Sequence, residues 1–315
     1  MALTSADVAQ RAGVSRSTVS YILNGQGHRF APATREAVER AVAELGYRPQ
    51  AAARTLVRGE SDLVLLVLPI AASGRIEEAV DALTDALAER GLLLLMRSAT
   101  SSRATFESMI TTVRPRAVVA MADLSDAERA VLGTVGVRTI EFARDTSRPG
   151  GTNWNLGRMQ TEHLLSRGYR RIAYARLAEA GDDVMLGARE QGVREACRAA
   201  GVPDPQVITV AMRADADLEA VASLPVGTGL ACYNDETAAA ALGAAHVVGK
   251  HVPADLGLIG LDDSPVATQT HPRLTTIGYD VTAGMRRLAD VVAGDGEAIE
   301  DMEPDDLTLV QGNST

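Results

Sequence analysis

The pattern of apolar and polar positions at the start of the chain predicts two short helices joined by a tight turn. The apolar positions of the first helix recur at helical spacing and are Val8, Ala9 and Ala12. Gly13 supplies the unrestricted backbone that a sharp exit requires, and Ser15 can cap the second helix. The apolar positions of the second helix are Val19, Ile22 and Leu23. This arrangement is typical of a helix-turn-helix, which places its second helix in the major groove of DNA.

A third helix completes this unit, and a short helix-prone segment follows it. Residues 24–27 (Asn-Gly-Gln-Gly) predict a loop, Pro32 suits a first helical turn, and Gly46 ends the third apolar stripe. Residues 50–58 favour a helix, but a helix shorter than about 12 residues is seldom stable alone in water. We therefore expect residues 1–46 to form a helix-turn-helix domain and residues 47–60 to form a hinge helix or linker.

From residue 62 the pattern changes to apolar runs of strand length that alternate with amphipathic helices. Strands are expected at 63–68, 92–96, 117–121, 137–142, 171–175, 206–210, 229–233 and 256–261. Unbroken apolar strands between helices indicate parallel sheets that are covered on both faces. These strands are more numerous than a single sheet of this kind usually contains. Residues 61–315 are therefore predicted to form two doubly wound lobes with a ligand cleft between them. The expected lobes are 61–151 with about 279–297, and 152–278 with about 298–315.

The charge of the chain is divided unevenly. The net charge is −10, yet residues 1–60 hold eight arginines against five acids, while the remainder holds 23 basic against 36 acidic residues. This division confines electrostatic attraction for DNA phosphates to the N-terminal unit.

Composition narrows the class of protein further. The chain is 46% hydrophobic, without an apolar run long enough to span a membrane and without a secretory signal pattern, which favours a cytoplasmic protein. Cys197 and Cys232 are too few and too far apart for a disulfide framework or a metal cluster. We expect two buried thiols, no metal and no cofactor.

Several motifs occur in a recognisable order. In the N-terminal unit they are Asp-Val-Ala at 7–9, Ala-Gly-Val-Ser at 12–15, Thr-Val-Ser at 18–20 and Leu-Gly-Tyr-Arg-Pro at 45–49. Further along they are Gly-Tyr-Arg-Arg-Ile at 168–172, Arg189-x-x-Gly192, Asn234-Asp235 and Gly-Leu-Asp-Asp at 260–263. Together they resemble the LacI family of bacterial transcription regulators, the family of the lactose repressor and GalR. The resemblance implies a helix-turn-helix head on a periplasmic-binding-protein-like core.

The resemblance implies roles for residues of the head and the hinge. The base-reading positions fall on Arg16, Ser17 and Tyr21, and an arginine can engage guanine through two hydrogen bonds. The positions that hold phosphates are Thr4, Ser15, Thr18, Asn24 and Thr34. Simple capping is the alternative role for the serine and threonine hydroxyls. In the hinge, Leu56 falls where the family wedges an apolar side chain into the minor groove, with Ala53 beside it. An ordinary linker leucine is the alternative.

The resemblance also implies an effector site in the cleft. The matching positions are Arg189, Asn234, Asp262 and Asn153. In the family, Arg189 and Asp262 would contact a small polar ligand from opposite sides of the cleft; a structural ion pair between lobes is the alternative. The chain departs from the family pattern at Thr152, where an Asp is usual, and at residues 69–75, which lack the usual aromatic residue. These departures leave the effector open, as a sugar or a related metabolite.

The predicted function is a sequence-specific DNA-binding transcriptional repressor, not an enzyme. It would bind a palindromic operator as a homodimer, with its affinity set by an effector in the cleft. The alternatives are a solute-binding protein or an enzyme on the same two-lobed scaffold. A transport protein would require an export signal and would leave residues 1–58 unexplained. The paired acids Asp262 and Asp263 lack an accompanying nucleophile, metal-ligand cluster or glycine fingerprint.

Overall fold

The computed structural model describes residues 3–47, 61–69, 75–99, 102–212, 218–296 and 306–315. Its N-terminal unit consists of α1 (Ser5–Ala12), α2 (Arg16–Tyr21) and α3 (Pro32–Leu45). Gly13 ends α1 with a φ of 67°, in the left-handed region where glycine has no steric cost. Val8, Val19 and Val38 are fully buried between the three helices, as the apolar spacing of α1 and α2 predicts.

The predicted loop at 24–27 is wrong. The backbone continues from α2 into a π-helical turn at Ile22–Gln26 and a 3₁₀ turn at Gly27–Arg29. Ile22 is buried and Leu23 packs against the core of this unit, so continued coiling keeps both side chains inside. Tertiary packing here overrides the local turn preference of Asn and Gly.

The first sheet is parallel and has the strand order β2-β1-β3-β4. Its strands are β1 (Leu63–Leu68), β2 (Leu93–Ser98), β3 (Ala117–Ala120) and β4 (Arg138–Ile140). Between them lie α4 (Arg75–Ala88), α5 (Arg103–Val113) and α6 (Asp126–Val135), and α7 (Phe142–Asp145) follows. Val64 and Leu66 pack on one face, whereas Leu65 and Val67 pack against α5 and α6 on the other. We call this sheet and its helices the first lobe.

The second sheet is also parallel, with the order β6-β5-β7-β8. Its strands are β5 (Arg171–Leu177), β6 (Gln206–Val210), β7 (Thr228–Cys232) and β8 (Leu256–Ile259). Its helices are α8 (Thr152–Ser166), α9 (Val184–Ala199), α10 (Leu218–Ala222), α11 (Asp235–Val247) and α12 (Pro265–Gln269). Both faces are again covered, and both cysteines are buried as predicted. This sheet and its helices form the second lobe.

The last elements connect the lobes. An antiparallel pair that the sequence did not predict joins β9 (Thr276–Tyr279) to β10 (Leu307–Val310) beside the second sheet. Between these strands, α13 (Val281–Ala293) returns to the core of the first lobe. In the described part of the chain, no helix has the length and apolar character needed to cross a bilayer.

Candidate functional site

The start of α2 holds a network of hydroxyl groups. Ser15 accepts a hydrogen bond of 3.1 Å from the Thr18 backbone N–H and so caps the helix. Its Oγ also lies 2.8 Å from both the Ser17 Oγ and the Thr18 Oγ1. The capping role considered for Ser15 is therefore present in the structure, and it fixes the first turn of α2.

The three predicted base-reading residues share the exposed surface of α2. Arg16, Ser17 and Tyr21 are all exposed, and Arg16 Nε donates to the Ser5 Oγ at 3.0 Å. The Arg29 guanidinium carbon lies 5.1 Å from the centre of the Tyr21 ring, a cation–π contact. The position of Arg29 beside Tyr21 depends on the helical path after α2, so the sequence pattern alone does not indicate it.

The predicted phosphate-binding residues differ in their surroundings. The Thr4 backbone N–H and hydroxyl both donate to the Asp7 carboxylate at 2.7 Å, and these bonds lower the pKa of Asp7. Thr34 lies half-buried in the first turn of α3. The Asn24 side chain and the hinge residues Ala53 and Leu56 lie outside the described residues, so the expectations for them stay predictions.

A cavity of about 730 Å³ lies between the two lobes. All four predicted effector residues line it: Asn153, Arg189, Asn234 and Asp262. Each belongs to the second lobe, since each lies on or next to α8, α9, α11 or the end of β8. The expectation that Arg189 and Asp262 stand on opposite sides of the cleft is therefore wrong. The reason is topological: α9, which carries Arg189, follows β5, and Asp262 follows β8, and the carboxyl ends of the parallel strands β5, β7 and β8 meet at one edge of one sheet.

Arg189 is held rigidly in the cavity wall. Its side chain is buried, with Nε donating to Asn153 Oδ1 at 2.9 Å and Nη1 donating to the Tyr233 carbonyl at 2.7 Å. Burial opposes its charge, but the neighbouring Tyr233 and Asp262 hold the pKa of Arg189 above its ordinary value. The cavity thus keeps a fixed cation.

Two glycines bring Arg189 to Asn153. A Cβ on Gly157 of α8 would lie 2.0 Å from the Arg189 carbonyl oxygen, and a Cβ on Gly192 of α9 would lie 1.9 Å from that of Trp154. Only glycine permits this approach of the two helix backbones. The glycine of the Arg189-x-x-Gly192 motif therefore serves the position of the arginine.

Asp262 stands on an unusual backbone. Its φ is 102° and that of Asp263 is 49°, both in the left-handed region that L-residues seldom adopt. The Asp262 side chain is buried, and its Oδ1 accepts a 2.9 Å hydrogen bond from the Tyr279 hydroxyl. Burial, followed by the charge of Asp262, raises the pKa of Tyr279 well above its ordinary value, so Tyr279 is a neutral donor.

Hydrogen bonds of Asn234 and Asp235 hold the neighbouring helix and the turn at Asp262 in place. The Asn234 side-chain oxygen caps α11 by accepting from the Thr237 N–H at 2.9 Å and the Thr237 hydroxyl at 2.7 Å. The Asp235 backbone N–H donates to the Leu261 carbonyl at 2.9 Å, and its Oδ2 accepts from the Ser264 N–H at 2.7 Å. Asp235 is therefore hydrogen-bonded to the turn on both sides of Asp262.

Comparison with known proteins decides the family. Residues 4–50 match the bacterial regulatory proteins of the lacI family, and residues 161–315 match the periplasmic binding protein-like domain. The HTH-type transcriptional regulator GalS of Salmonella typhimurium strain LT2 is 32% identical over 94% of this chain and 90% of GalS. The chain belongs to the LacI family. It is a LacI-family transcriptional regulator with a helix-turn-helix domain and an effector-binding domain, and its curated relatives are regulators rather than enzymes.

Solved LacI-family structures match the whole chain. The transcriptional regulator CelR in complex with cellobiose is 26% identical with a TM-score of 0.67, and the match covers 99% of this chain and all of CelR. The lac repressor dimer bound to operator and the anti-inducer ONPF has a TM-score of 0.74 at 23% identity, over 100% of this chain and 99% of that one. The fold class predicted from the sequence is confirmed.

The first-lobe wall of the cavity contains residues that the sequence analysis missed in this LacI-family regulator. They include Arg75, Met121, Phe142 and Thr146. Tyr279, at the end of β9, was missed as well. The absence of the usual aromatic residue from 69–75 was the one available signal that this wall differs from the family pattern.

Proposed function

We propose that this LacI-family regulator is a sequence-specific repressor that binds a palindromic operator as a homodimer, and that a small molecule in the interlobe cavity changes its affinity for DNA. The observation that carries the proposal is the combination in one chain of an exposed recognition helix and a cavity between the lobes whose wall holds polar side chains. Residues 1–46 would serve as the head, 47–60 as the hinge and 61–315 as the two-lobed core.

In the proposed complex, Arg16, Ser17 and Tyr21 read base edges in the major groove. The residues proposed to hold phosphates are Thr4, Ser15, Thr18, Asn24 and Thr34. Thr4 would have to exchange its bonds to Asp7 for a phosphate oxygen, because both of its donors are engaged. When the hinge helices of the two chains pair, Leu56 and Ala53 of each chain would open the minor groove.

A dimer is supported by apolar surface at the edge of the first sheet. β2 is an edge strand of the described sheet, and it exposes Leu93 by 63% and Met96 by 51%. Large exposed apolar side chains on a sheet edge favour burial against a partner. The lac repressor, which shares this fold, was solved as a dimer on its operator. Two heads placed by such symmetry would read half-sites roughly 34 Å apart.

The cavity supports control by a ligand. Asn153, Arg189, Asn234 and Asp262 present donors and acceptors to one enclosed space, which suits a small polar molecule. CelR, a relative, was solved with cellobiose. A ligand acts as a switch only if it binds one lobe arrangement better, a difference typically of about 1–3 kcal/mol.

Footprinting on genomic fragments, followed by a metabolite screen on the protected fragment, tests the proposal. We expect protection of a site with two-fold symmetry, and a metabolite that changes its affinity by about 5- to 150-fold at constant salt. Protection without symmetry would contradict the homodimer. No change with any metabolite would contradict control by the cavity.

A further inference from the structure

The first-lobe wall of the cavity presents a partly buried arginine. Arg75 is the first residue of α4, and its side chain is only 17% exposed. Its Nη2 donates to the Tyr279 carbonyl at 2.8 Å, and its Nη1 lies 3.1 Å from a Glu78 carboxylate oxygen. The buried Nε has no hydrogen-bond partner among the described residues. A buried N–H of a cation that lacks a hydrogen-bond acceptor costs free energy, and a ligand that accepts this hydrogen bond removes the cost.

A second guanidinium approaches the same region from the second lobe. Arg189 lines the cavity, and the bonds of its Nε and Nη1 hold it in place. The Arg75 guanidinium carbon is 5.7 Å from the centre of the Tyr279 ring, and the positive charges of Arg189 and Arg75 both act to lower the pKa of the Tyr279 phenol against the effect of burial. The two lobes therefore each contribute one arginine to the lining of the same cavity.

The carboxylates near these arginines differ in how far they offset the positive charge. Asp290 also lines the cavity and pairs with Arg90, and Asp295, another lining residue, is exposed. Asp262 is enclosed, but it is already engaged by the Tyr279 hydroxyl. Glu78 is 45% exposed, so water screens its pairing with Arg75. The N-terminal ends of α4, α8 and α11 also border the cavity at Arg75, Asn153 and Asn234, and helix N-termini add partial positive charge. Among the described residues that line the cavity, the two little-exposed guanidinium groups of Arg75 and Arg189 are thus accompanied by a single buried carboxylate, that of Asp262.

We propose that the effector carries an anionic group, a carboxylate or a phosphate, which binds between Arg75 and Arg189 and draws the two lobes together. The inference rests on the proposed function, since it names the chemical class of the ligand of that same cavity. Guanidinium groups bind both kinds of oxyanion with charge-assisted hydrogen bonds. The Asn234 side-chain NH₂ group and the second carboxylate oxygen of Asp262 would bind polar groups on the rest of the molecule, such as hydroxyls.

The test measures anion binding to the full-length protein without DNA. The probes are inorganic phosphate and acetate, each compared with chloride at constant ionic strength, and the readout is the thermal midpoint across a titration. We expect phosphate or acetate to raise the midpoint of the core transition, as a ligand of the folded state does. The ratio of the two affinities distinguishes a phosphorylated effector from a carboxylic acid.

Three variants test whether the stabilising anion binds at Arg75. Arg75→Gln should weaken anion binding roughly tenfold or more, because it removes a charge-assisted partner. Arg75→Lys keeps the charge and should retain most of the binding, which excludes a folding defect as the cause. Arg158→Gln is the matched control, since Arg158 pairs with Glu162 at 2.8 Å on the outer side of α8 and does not line the cavity.

Two results would overturn the inference: no stabilisation by either anion beyond that of chloride, or an unchanged response in Arg75→Gln. Operator binding by the same preparations is measured separately. A protein that binds operator but no anion would contradict this inference alone, whereas one that binds anions but no operator would contradict the proposed function.

Discussion

At the scale of single residues, the family motifs predicted which polar side chains gather in the cavity but not how they are arranged. Arg189, Asn153, Asn234 and Asp262 line one space, yet all four come from one lobe. Tyr279 and Arg75 were missed because their contacts join segments about 200 residues apart in sequence. Spacing along the chain carries no information about such contacts.

Arg16 offers a direct test of base reading. Because a two-bond contact from arginine to guanine discriminates by about 1–3 kcal/mol, Arg16→Ala should lower affinity for the operator by about 5- to 150-fold and leave affinity for random duplex nearly unchanged. Fluorescence anisotropy at fixed salt measures both. Arg11→Ala is the control, since Arg11 is exposed on α1 and pairs with Glu44. Equal losses on both duplexes in Arg16→Ala would assign Arg16 to phosphate contact instead.

Asp235 predicts a pH dependence of stability. Burial raises the pKa of this carboxyl to about 7 from 3.8, although bonds from Thr276 and Ser264 act in the opposite direction. Between these values the folded protein binds more protons at Asp235 than the unfolded chain does. Its contribution to the free energy of unfolding is therefore full below the lower value and is lost as pH rises through about 7.

Asp235→Asn removes this titration, so the variant should gain stability relative to the wild type as pH rises from about 4 to 8. Thermal midpoints in a series of buffers measure the difference. Asp182→Asn is the control, because Asp182 is fully exposed. Parallel curves for Asp235→Asn and the wild type would show that the pKa of Asp235 is the same in the folded and unfolded states, which contradicts the prediction.

At the scale of elements, the apolar runs predicted the bounds of all eight parallel strands to within two residues. The strands β1, β3, β5 and β7 are buried on both faces and appear close to their predicted bounds. The edge strand β2 begins and ends later than predicted, since half-exposed positions blur its apolar run. The β9–β10 pair was missed because its short strands mix Thr and Gly with apolar residues and pair across a long separation, without a hairpin signal.

The close packing of α8 on α9 is testable at two glycines of the same helix. Gly192→Ala would force the helices apart, since its Cβ would meet the Trp154 carbonyl oxygen at 1.9 Å. We expect a loss of about 1–3 kcal/mol in stability, together with weaker ligand binding as Arg189 shifts. Gly187→Ala in α9 meets no atom within 4 Å and should instead stabilise the helix by up to about 1 kcal/mol. Thermal midpoints and anion titrations compare the two; equal behaviour would contradict the packing argument.

At the scale of the whole molecule, the proposed function requires two chains. Leu93→Asp places a charge on the exposed edge of β2, and we expect it to weaken dimer formation and operator binding together. Leu309→Asp is the matched control on β10, where the leucine is 42% exposed. Sedimentation velocity across a dilution series measures dimer formation. A dimer that survives Leu93→Asp unchanged would place the interface elsewhere.

The division of charge agrees with this account. Arginines outnumber acidic residues in the first sixty residues, whereas acidic residues outnumber basic residues in the remainder. Electrostatic attraction to DNA phosphates is thereby restricted to the part of the chain that holds the recognition helix. The acidic core carries the same sign of charge as DNA and does not attract it.

The most direct test of the central claim is the ratio of affinities of the full-length protein for its footprinted fragment and for a shuffled duplex of equal length, measured at one salt concentration. The account predicts a preference of about a thousandfold or more, with two chains bound per fragment. A ratio near one, from folded dimeric protein with and without cell metabolites, would contradict it.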